Sequence, residues 1–222
     1  MFDIKICGIK TLADAQAAVD AGADAIGLNF YEDSRRFVST GDAAELAKTL
    51  PDDVTKVGVF VNAAAERMNE IAASVGLDAI QLHGDEPPAL LGELNKKIKI
   101  VRAKRWNEQG FEILANDLRA CLEIGGRRPD AVLVDATVTG QFGGTGSTLP
   151  WAELKDYSGW LGDTPLVLAG GLSPENVAEA IRIVRPDGVD VASGVESSPG
   201  IKDHRKIQAF IEAARKAFSE LG

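Results

Sequence analysis

Ile4-Lys5-Ile6-Cys7-Gly8 opens the chain as a short apolar run closed by a glycine. It reads as a first β-strand ending in a thiol. In a strand, alternate side chains share a face, so Lys5 and Cys7 point the same way. If strand–helix units of this kind close into a barrel, that face looks into the barrel centre. Cys7 then sits at the C-terminal strand end, where such barrels carry their chemistry. A free cysteine also serves as a small buried hydrophobe, and the pentapeptide alone leaves both readings open.

Outward from this strand the chain repeats one pattern. Thr11 to Ala21 is a helix capped by Thr11 and stopped by Gly22. Asp24 to Phe30 is a strand, Gly41 to Leu50 a helix, Thr55 to Val61 a strand, and Ala63 to Val75 a helix capped by Asn62. Ala79 to Leu82 is followed by a short helix opened by Pro87 and Pro88. Ile98 to Ala103 precedes a helix from about Glu108 to Ile124, and Ala131 to Asp135 precedes a Gly- and Thr-rich stretch and a helical Trp151 to Tyr157. Leu166 to Ala169 leads into a helix capped by Ser173, with Pro174 at its first position. Gly188 to Ala192 leads into a last helix opened by Asp203. Strand then helix, eight times, predicts a single (β/α)8 TIM barrel spanning residues 1–222, an α/β fold, rather than an open doubly wound sheet. The strands recur regularly, but no repeated sequence motif is evident.

The totals narrow the function classes. The net charge of −9 argues against a general nucleic-acid binder or an anionic-membrane binder, though it leaves room for a local phosphate site. Cys7 and Cys121 are the two cysteines, too few for a disulfide framework, which fits a reducing compartment. With no basic-then-apolar leader and no long apolar run, the expected location is cytoplasmic. His83 and His204 lie on different elements without ligand spacing, so no metal is expected.

Candidate chemistry gathers just after the strands. Gly170-Gly171 and Ser193-Gly194 follow strands seven and eight, where glycine lets backbone N–H groups approach a phosphate; turn geometry alone also asks for glycine there. Asp135 closes an apolar strand, and a carboxyl at an apolar mouth can act as an acid; a loop aspartate is the plain alternative. Lys5, one layer below Cys7, favours a thiolate, or else forms a structural pair with a carboxylate such as Asp190. His83 either touches substrate or organises its loop through Asp85 or Glu86. Cys121 reads as core. Arg105-Trp106 and the cluster Lys202, Arg205 and Lys206 read as solvated surface.

With these residues in place the chain resembles the phosphoribosylanthranilate isomerase family of tryptophan biosynthesis, almost end to end. The resemblance rests on KICGI (Lys5 to Ile9), NFYEDSRRFV (Asn29 to Val38), GVFVN (Gly58 to Asn62), QLHGDE (Gln81 to Glu86) and VLVDA (Val132 to Ala136). It continues in FGGTG (Phe142 to Gly146), LAGGLSPENV (Leu168 to Val177), VDVASGVE (Val189 to Glu196) and PGIKD (Pro199 to Asp203). Arg35 stands where the family commonly has proline, and Arg36 keeps the family arginine. The resemblance implies an Amadori rearrangement of N-(5-phosphoribosyl)anthranilate, an aldosylamine, to an open-chain ketosamine. It implies Asp135 as acid, Cys7 as base, and no cofactor. Gly144, Gly170, Gly171, Ser193 and Gly194 would serve the phosphosugar, with His83 and Asp190 also contacting it and Arg36 pairing with the anthranilate carboxylate. A monomer is expected, a homodimer being the alternative. A phosphosugar epimerase barrel and a non-catalytic metabolite-binding barrel are the rival readings.

Overall fold

A computed structural model describes residues 1–106, 110–135 and 151–221. Eight parallel strands close a barrel in sequence order: β1 (Ile4–Cys7), β2 (Ala25–Asn29), β3 (Thr55–Phe60), β4 (Ala79–Leu82), β5 (Lys99–Arg105), β6 (Ala131–Asp135), β7 (Leu166–Ala169) and β8 (Gly188–Val191). The α-helices are α1 (Leu12–Ala21), α2 (Thr40–Thr49), α3 (Ala65–Val75), α4 (Gly110–Glu123), α5 (Ser158–Leu161), α6 (Val177–Val184) and α7 (His204–Ser219). Single 3₁₀ turns at Pro88–Gly92, Trp151–Leu154 and Ser193–Val195 replace or extend helices. The predicted fold class stands.

Strand alternation divides the core into two shells. One set of side chains packs outward under the helices; the other fills the barrel with Phe2, Ala25, Val57, Ala79, Val101, Ala103, Ala131, Leu133, Val167 and Ala169. Small residues dominate the inner set, as the narrow interior requires. Above this plug the same inward positions turn polar: Lys5 and Cys7 on β1, Gln81 on β4, Asp135 on β6 and Asp190 on β8. Those residues therefore share the C-terminal mouth.

A repeat invisible at strand spacing emerges at the other end. Each even-numbered strand is preceded by an aspartate: Asp24, Asp78, Asp130 and Asp187. Each carboxylate accepts the backbone N–H of one residue on the preceding odd strand: Ile4 at 2.9 Å, and Lys56, Ile100 and Leu166 each at 2.8 Å. Each aspartate N–H in turn donates to the carbonyl of that same residue. The local sequences are Gly-Ala-Asp-Ala-Ile, Gly-Leu-Asp-Ala-Ile, Arg-Pro-Asp-Ala-Val and Arg-Pro-Asp-Gly-Val. The absence of a repeat expected from sequence is thus corrected: the unit is two strand–helix pairs long, and five residues mark it. Capping these strand-start amides satisfies donors that no neighbouring strand reaches.

Local differences from expectation have simple causes. Asn62 does not cap α3, whose N-cap is Ala64. Asn62 takes a left-handed backbone (φ 52°) and accepts the N–H of Asp85 at 2.8 Å, tying the loops after β3 and β4 together. Helix α6 starts at Val177 rather than at Pro174, because Asn176 turns back to accept the Ser173 N–H at 2.8 Å and donate to the Gly171 carbonyl at 2.9 Å. A small hairpin, β9 (Glu196–Ser198) and β10 (Ile201–Lys202), follows β8 and was not anticipated.

Candidate active site

A cleft of about 240 Å³ at the C-terminal mouth is lined by Cys7, Arg36, His83, Asp135, Gly170, Gly171, Asp190 and Ser193, among others. Every predicted site residue in that group comes from a strand end or the loop directly after it. Gly194 adjoins as the second residue of the 3₁₀ turn, packed so closely that a Cβ there would overlap the Leu172 carbonyl. Gly170 and Gly171 both adopt positive φ, 89° and 64°, which leaves their turn without a Cβ clash. Gly144 lies outside the described residues. A larger depression of about 440 Å³, at the opposite end between Asp52, Asn69, Asp78 and Lys97, contains none of these groups. Among the described residues no three His, Cys, Asp or Glu side chains gather as a metal site would need.

Beneath the cleft floor lies a buried ion pair. Lys5 is fully buried, and its Nζ stands 2.8 Å from Asp190 Oδ1. The pair is buried on both sides, and the Lys5 side chain also interacts with Cys7. Burial opposes the charged form of Lys5, but Asp190 counters it and the ammonium is held above its ordinary range, with Cys7 adding to this once ionised. Burial pushes the Cys7 thiol up, while Lys5 pulls it back down and Asp190 opposes Lys5. The net shift is upward, so at neutral pH the resting cysteine is mainly a thiol, more so than an exposed one. The strand partner of Cys7 is Gly27 on β2. A Cβ on Gly27 would stand 2.8 Å from Cys7 Sγ and 3.1 Å from Lys5 Cε, so this glycine makes the room both side chains occupy.

His83 is tied inward, not to its own loop. Gln81 Nε2 lies 2.8 Å from His83 Nδ1, a contact in which the neutral ring accepts at Nδ1 and carries its proton on Nε2. Burial lowers the imidazole below its ordinary value, leaving it neutral with an N–H to offer the cleft. The loop is organised instead by buried Glu86, which accepts the N–H groups of Asn62 at 2.8 Å and Gly84 at 3.0 Å. Asp135 carries polar contacts of its own and is partly buried, its carbonyl accepting the Trp106 N–H at 2.9 Å.

Arg36 reaches the cleft by a contact no local sequence pattern signals. Its Nε and Nη2 donate to Glu196 Oε1 and Oε2 at 2.6 and 2.8 Å. Arg35 is exposed, and its carbonyl accepts Lys10 Nζ at 3.0 Å. Lys202 is a correction: far from solvated, it is buried, donating to the Ala192 carbonyl at 2.8 Å and meeting Glu196 Oε1 at 3.3 Å. Burial opposes the ionised form of Glu196, yet Arg36 and Lys202 hold its carboxyl below the usual range. Lys206 donates to the Glu196 carbonyl at 2.9 Å; Arg205 is exposed. Arg105 is exposed as expected, but strand alternation puts it on the inward face with Ala103, in register with Asp135. It lines an adjoining lobe of about 320 Å³ with Asn62, His83 and Asp135. Cys121 is core, its thiol pushed up to about 11 by burial.

A mouth bearing a thiol, a carboxylate and paired glycine turns matches one known group across nearly the whole chain. The family model for N-(5'-phosphoribosyl)anthranilate (PRA) isomerase matches residues 4–213. The chain belongs to the N-(5'-phosphoribosyl)anthranilate isomerase family. The Roseiflexus sp. isomerase is 46% identical, covering 98% of this chain and 99% of that relative. The Thermotoga neapolitana isomerase is 44% identical over 97% of this chain and 99% of the relative. The crystal structure of phosphoribosyl anthranilate isomerase from Thermotoga maritima superposes with a TM-score of 0.85 at 41% identity, covering 97% of this chain and all of that one. A second solved isomerase, in complex with reduced 1-(o-carboxyphenylamino)-1-deoxyribulose 5-phosphate, is 39% identical with a TM-score of 0.82, over 97% of this chain and 100% of its own.

Proposed function

We propose that this chain catalyses the isomerisation its family is named for, the Amadori rearrangement of N-(5-phosphoribosyl)anthranilate to 1-(2-carboxyphenylamino)-1-deoxyribulose 5-phosphate. The observation that carries the reading is that Cys7 and Asp135, from β1 and β6, line one cleft with the glycine turns after β7 and β8. Asp135 delivers a proton to the furanose ring oxygen as the C1–oxygen bond breaks. The nitrogen lone pair forms the C1=N bond, giving an open-chain iminium. Cys7, as thiolate, removes the C2 proton, and those electrons fill the C1=C2 bond to give an enolamine. Reprotonation at C1, with loss of the C2 hydroxyl proton, leaves the ketosamine. No atom is gained or lost, so proton transfers alone balance the reaction.

Gly170, Gly171, Ser193 and Gly194 hold the phosphate through backbone N–H groups. His83 Nε2–H donates to a sugar hydroxyl, and Asp190 anchors Lys5 while facing the sugar. Arg36 meets the carboxylate. Substrate entry thus matches a two-ended anion with cations and N–H groups on opposite sides of the mouth. We read the chain as a cytoplasmic monomer, a homodimer being the alternative.

The test is loss of substrate fluorescence with purified protein. Cys7→Ser and Asp135→Asn are expected to fold, bind product and lose about 10²–10⁴-fold in turnover, the usual share of acid–base catalysis. Cys121→Ser keeps its rate. Binding of product without turnover by the unaltered protein would favour the metabolite-binding barrel and refute the proposal; near-normal turnover by Cys7→Ser would remove the thiol from it.

A further inference from the structure

The base assigned above carries an unresolved demand. Burial favours the neutral thiol, whereas abstraction of a carbon-bound proton needs the thiolate. Something fixed in the protein must favour the charged form. The groups that face Cys7 are few: Lys5 on its own strand, Asp190 on β8, Lys202 on β10, and Arg36 from the loop after β2, with His83 and Asp135 across the cleft. Lys202 also favours the thiolate, though less than Lys5 does, and both it and Arg36 are engaged by Glu196. His83 is neutral, and Asp135 adds no positive charge. Lys5 is the strongest cation at the sulfur. It is fully buried, one inward position below Cys7, with Asp190 Oδ1 2.8 Å from its Nζ, and its side chain interacts directly with Cys7.

We propose that Lys5 is a positioning residue for the isomerisation: clamped by Asp190 beneath the cleft floor, its ammonium supplies the charge against which Cys7 becomes a base. Asp190 is then a restraint in two senses. It keeps Lys5 charged and in place, and it limits how far the thiol is activated. Gly27 completes the device, because any side chain there would separate Lys5 from the sulfur. This assignment rests on Cys7 acting as the base.

The experiment titrates Cys7 by thiolate ultraviolet absorbance in a Cys121→Ser background, alongside the pH profile of kcat/KM. Removing the cation raises the thiol, removing the anion lowers it, and Lys5 is the stronger influence. The expected order of titration midpoints is therefore Asp190→Asn lowest, then the parent, then Lys5→Met with Asp190→Asn, and Lys5→Met highest. Lys5→Met should stand about one pH unit or more above the parent. Its kcat/KM should fall about 10–10²-fold near neutral pH, with KM little changed, and recover as pH rises. If Lys5→Met does not fold with Asp190 left unpaired, the double variant, which removes both charges, carries the test. An unshifted titration in that variant, or a rate loss equal at every pH, would overturn the proposal. Full activity of Cys7→Ser would instead strike the function reading, and the titration order would still stand or fall by itself.

Discussion

Gly27→Ala separates geometry from chemistry at this site, because it touches neither substrate nor charge. The added methyl would stand 2.8 Å from Cys7 Sγ, 3.0 Å from Cys7 Cα and 3.1 Å from Lys5 Cε. Carbon contacts settle at about 3.5–4.0 Å, so roughly 0.5–1 Å of clearance is missing in three directions. The Cα of Cys7 cannot yield alone, since Cys7 and Gly27 are ladder partners. The strands must part slightly, or the thiol must rotate away from Lys5. Overpacking of this kind costs about 1–3 kcal/mol, which for a chain of this size lowers Tm by roughly 2–12 °C. Misplacing a reacting group by about 1 Å costs on the order of 10² in rate. The variant should therefore melt cooperatively, bind product nearly as tightly as the parent, and turn over about 10²-fold more slowly. Thermal denaturation, product binding by calorimetry and the fluorescence assay read the three quantities. A parent-like kcat would show that the thiol's position is not set by this contact, and would weaken the case for Lys5 with it.

Three further outcomes follow from other contacts. Arg36→Ala is expected to weaken the aryl carboxylate more than inorganic phosphate, whereas Arg105→Ala, on the opposite lobe, should weaken both modestly by lowering the mouth's positive potential; equal losses for Arg36→Ala in calorimetry would contradict its pairing with the carboxylate. Glu196 has a folded-state carboxyl held below its unfolded value of 4.5 by Arg36 and Lys202 against burial, so its contribution is present above that pH and is lost as pH falls through the folded value. Glu196→Gln should accordingly show a flatter acid limb of stability than the parent in urea melts from about pH 6 to 3, and parallel curves would refute the assignment. Asp130→Ala removes the acceptor for the Ile100 N–H, and a loss of about 1–2 kcal/mol with unchanged kcat is expected; a fall in kcat at preserved stability would count against a purely scaffolding role.

Much of this arrangement was legible before any coordinates. Strand-end residues such as Cys7, Asp135, Gly170 and Ser193 are found by chain order alone, because eight short strands in alternation with helices leave one architecture and one reactive face. What stayed hidden depends on pairs far apart in sequence. Arg36 and Glu196 are 160 residues apart, and neither residue's neighbours announce the other. Lys202 looked like one member of a basic surface cluster because its neighbours Arg205 and Lys206 are polar; its burial comes from the unanticipated hairpin folding it under Glu196. Arg105 is exposed, as its sequence suggests, yet it takes an inward-facing position because β5 runs two residues beyond Ala103. Asn62 has the composition of a helix cap and instead closes a loop.

The two ends of the barrel resolve the charge on this chain differently, and the difference explains what each end can do. At the strand starts, four aspartates each accept a backbone N–H from the preceding odd strand, and Asp24, Asp78 and Asp130 also pair with Arg215, Lys56 and Arg127, so their charge is spent on the scaffold. Such contacts stabilise whichever ligand state the protein is in, which is why they belong to the scaffold. At the mouth the charges are paired across elements: Lys5 with Asp190, and Arg36 and Lys202 with Glu196. Lys5 also lies against Cys7, and Arg36 lines the cleft. Buried pairs of this kind offer little net stability over apolar packing. Their worth lies in what they do to a third party: a thiol that must lose a proton on one side of the mouth, and an anionic ring that must be seated on the other.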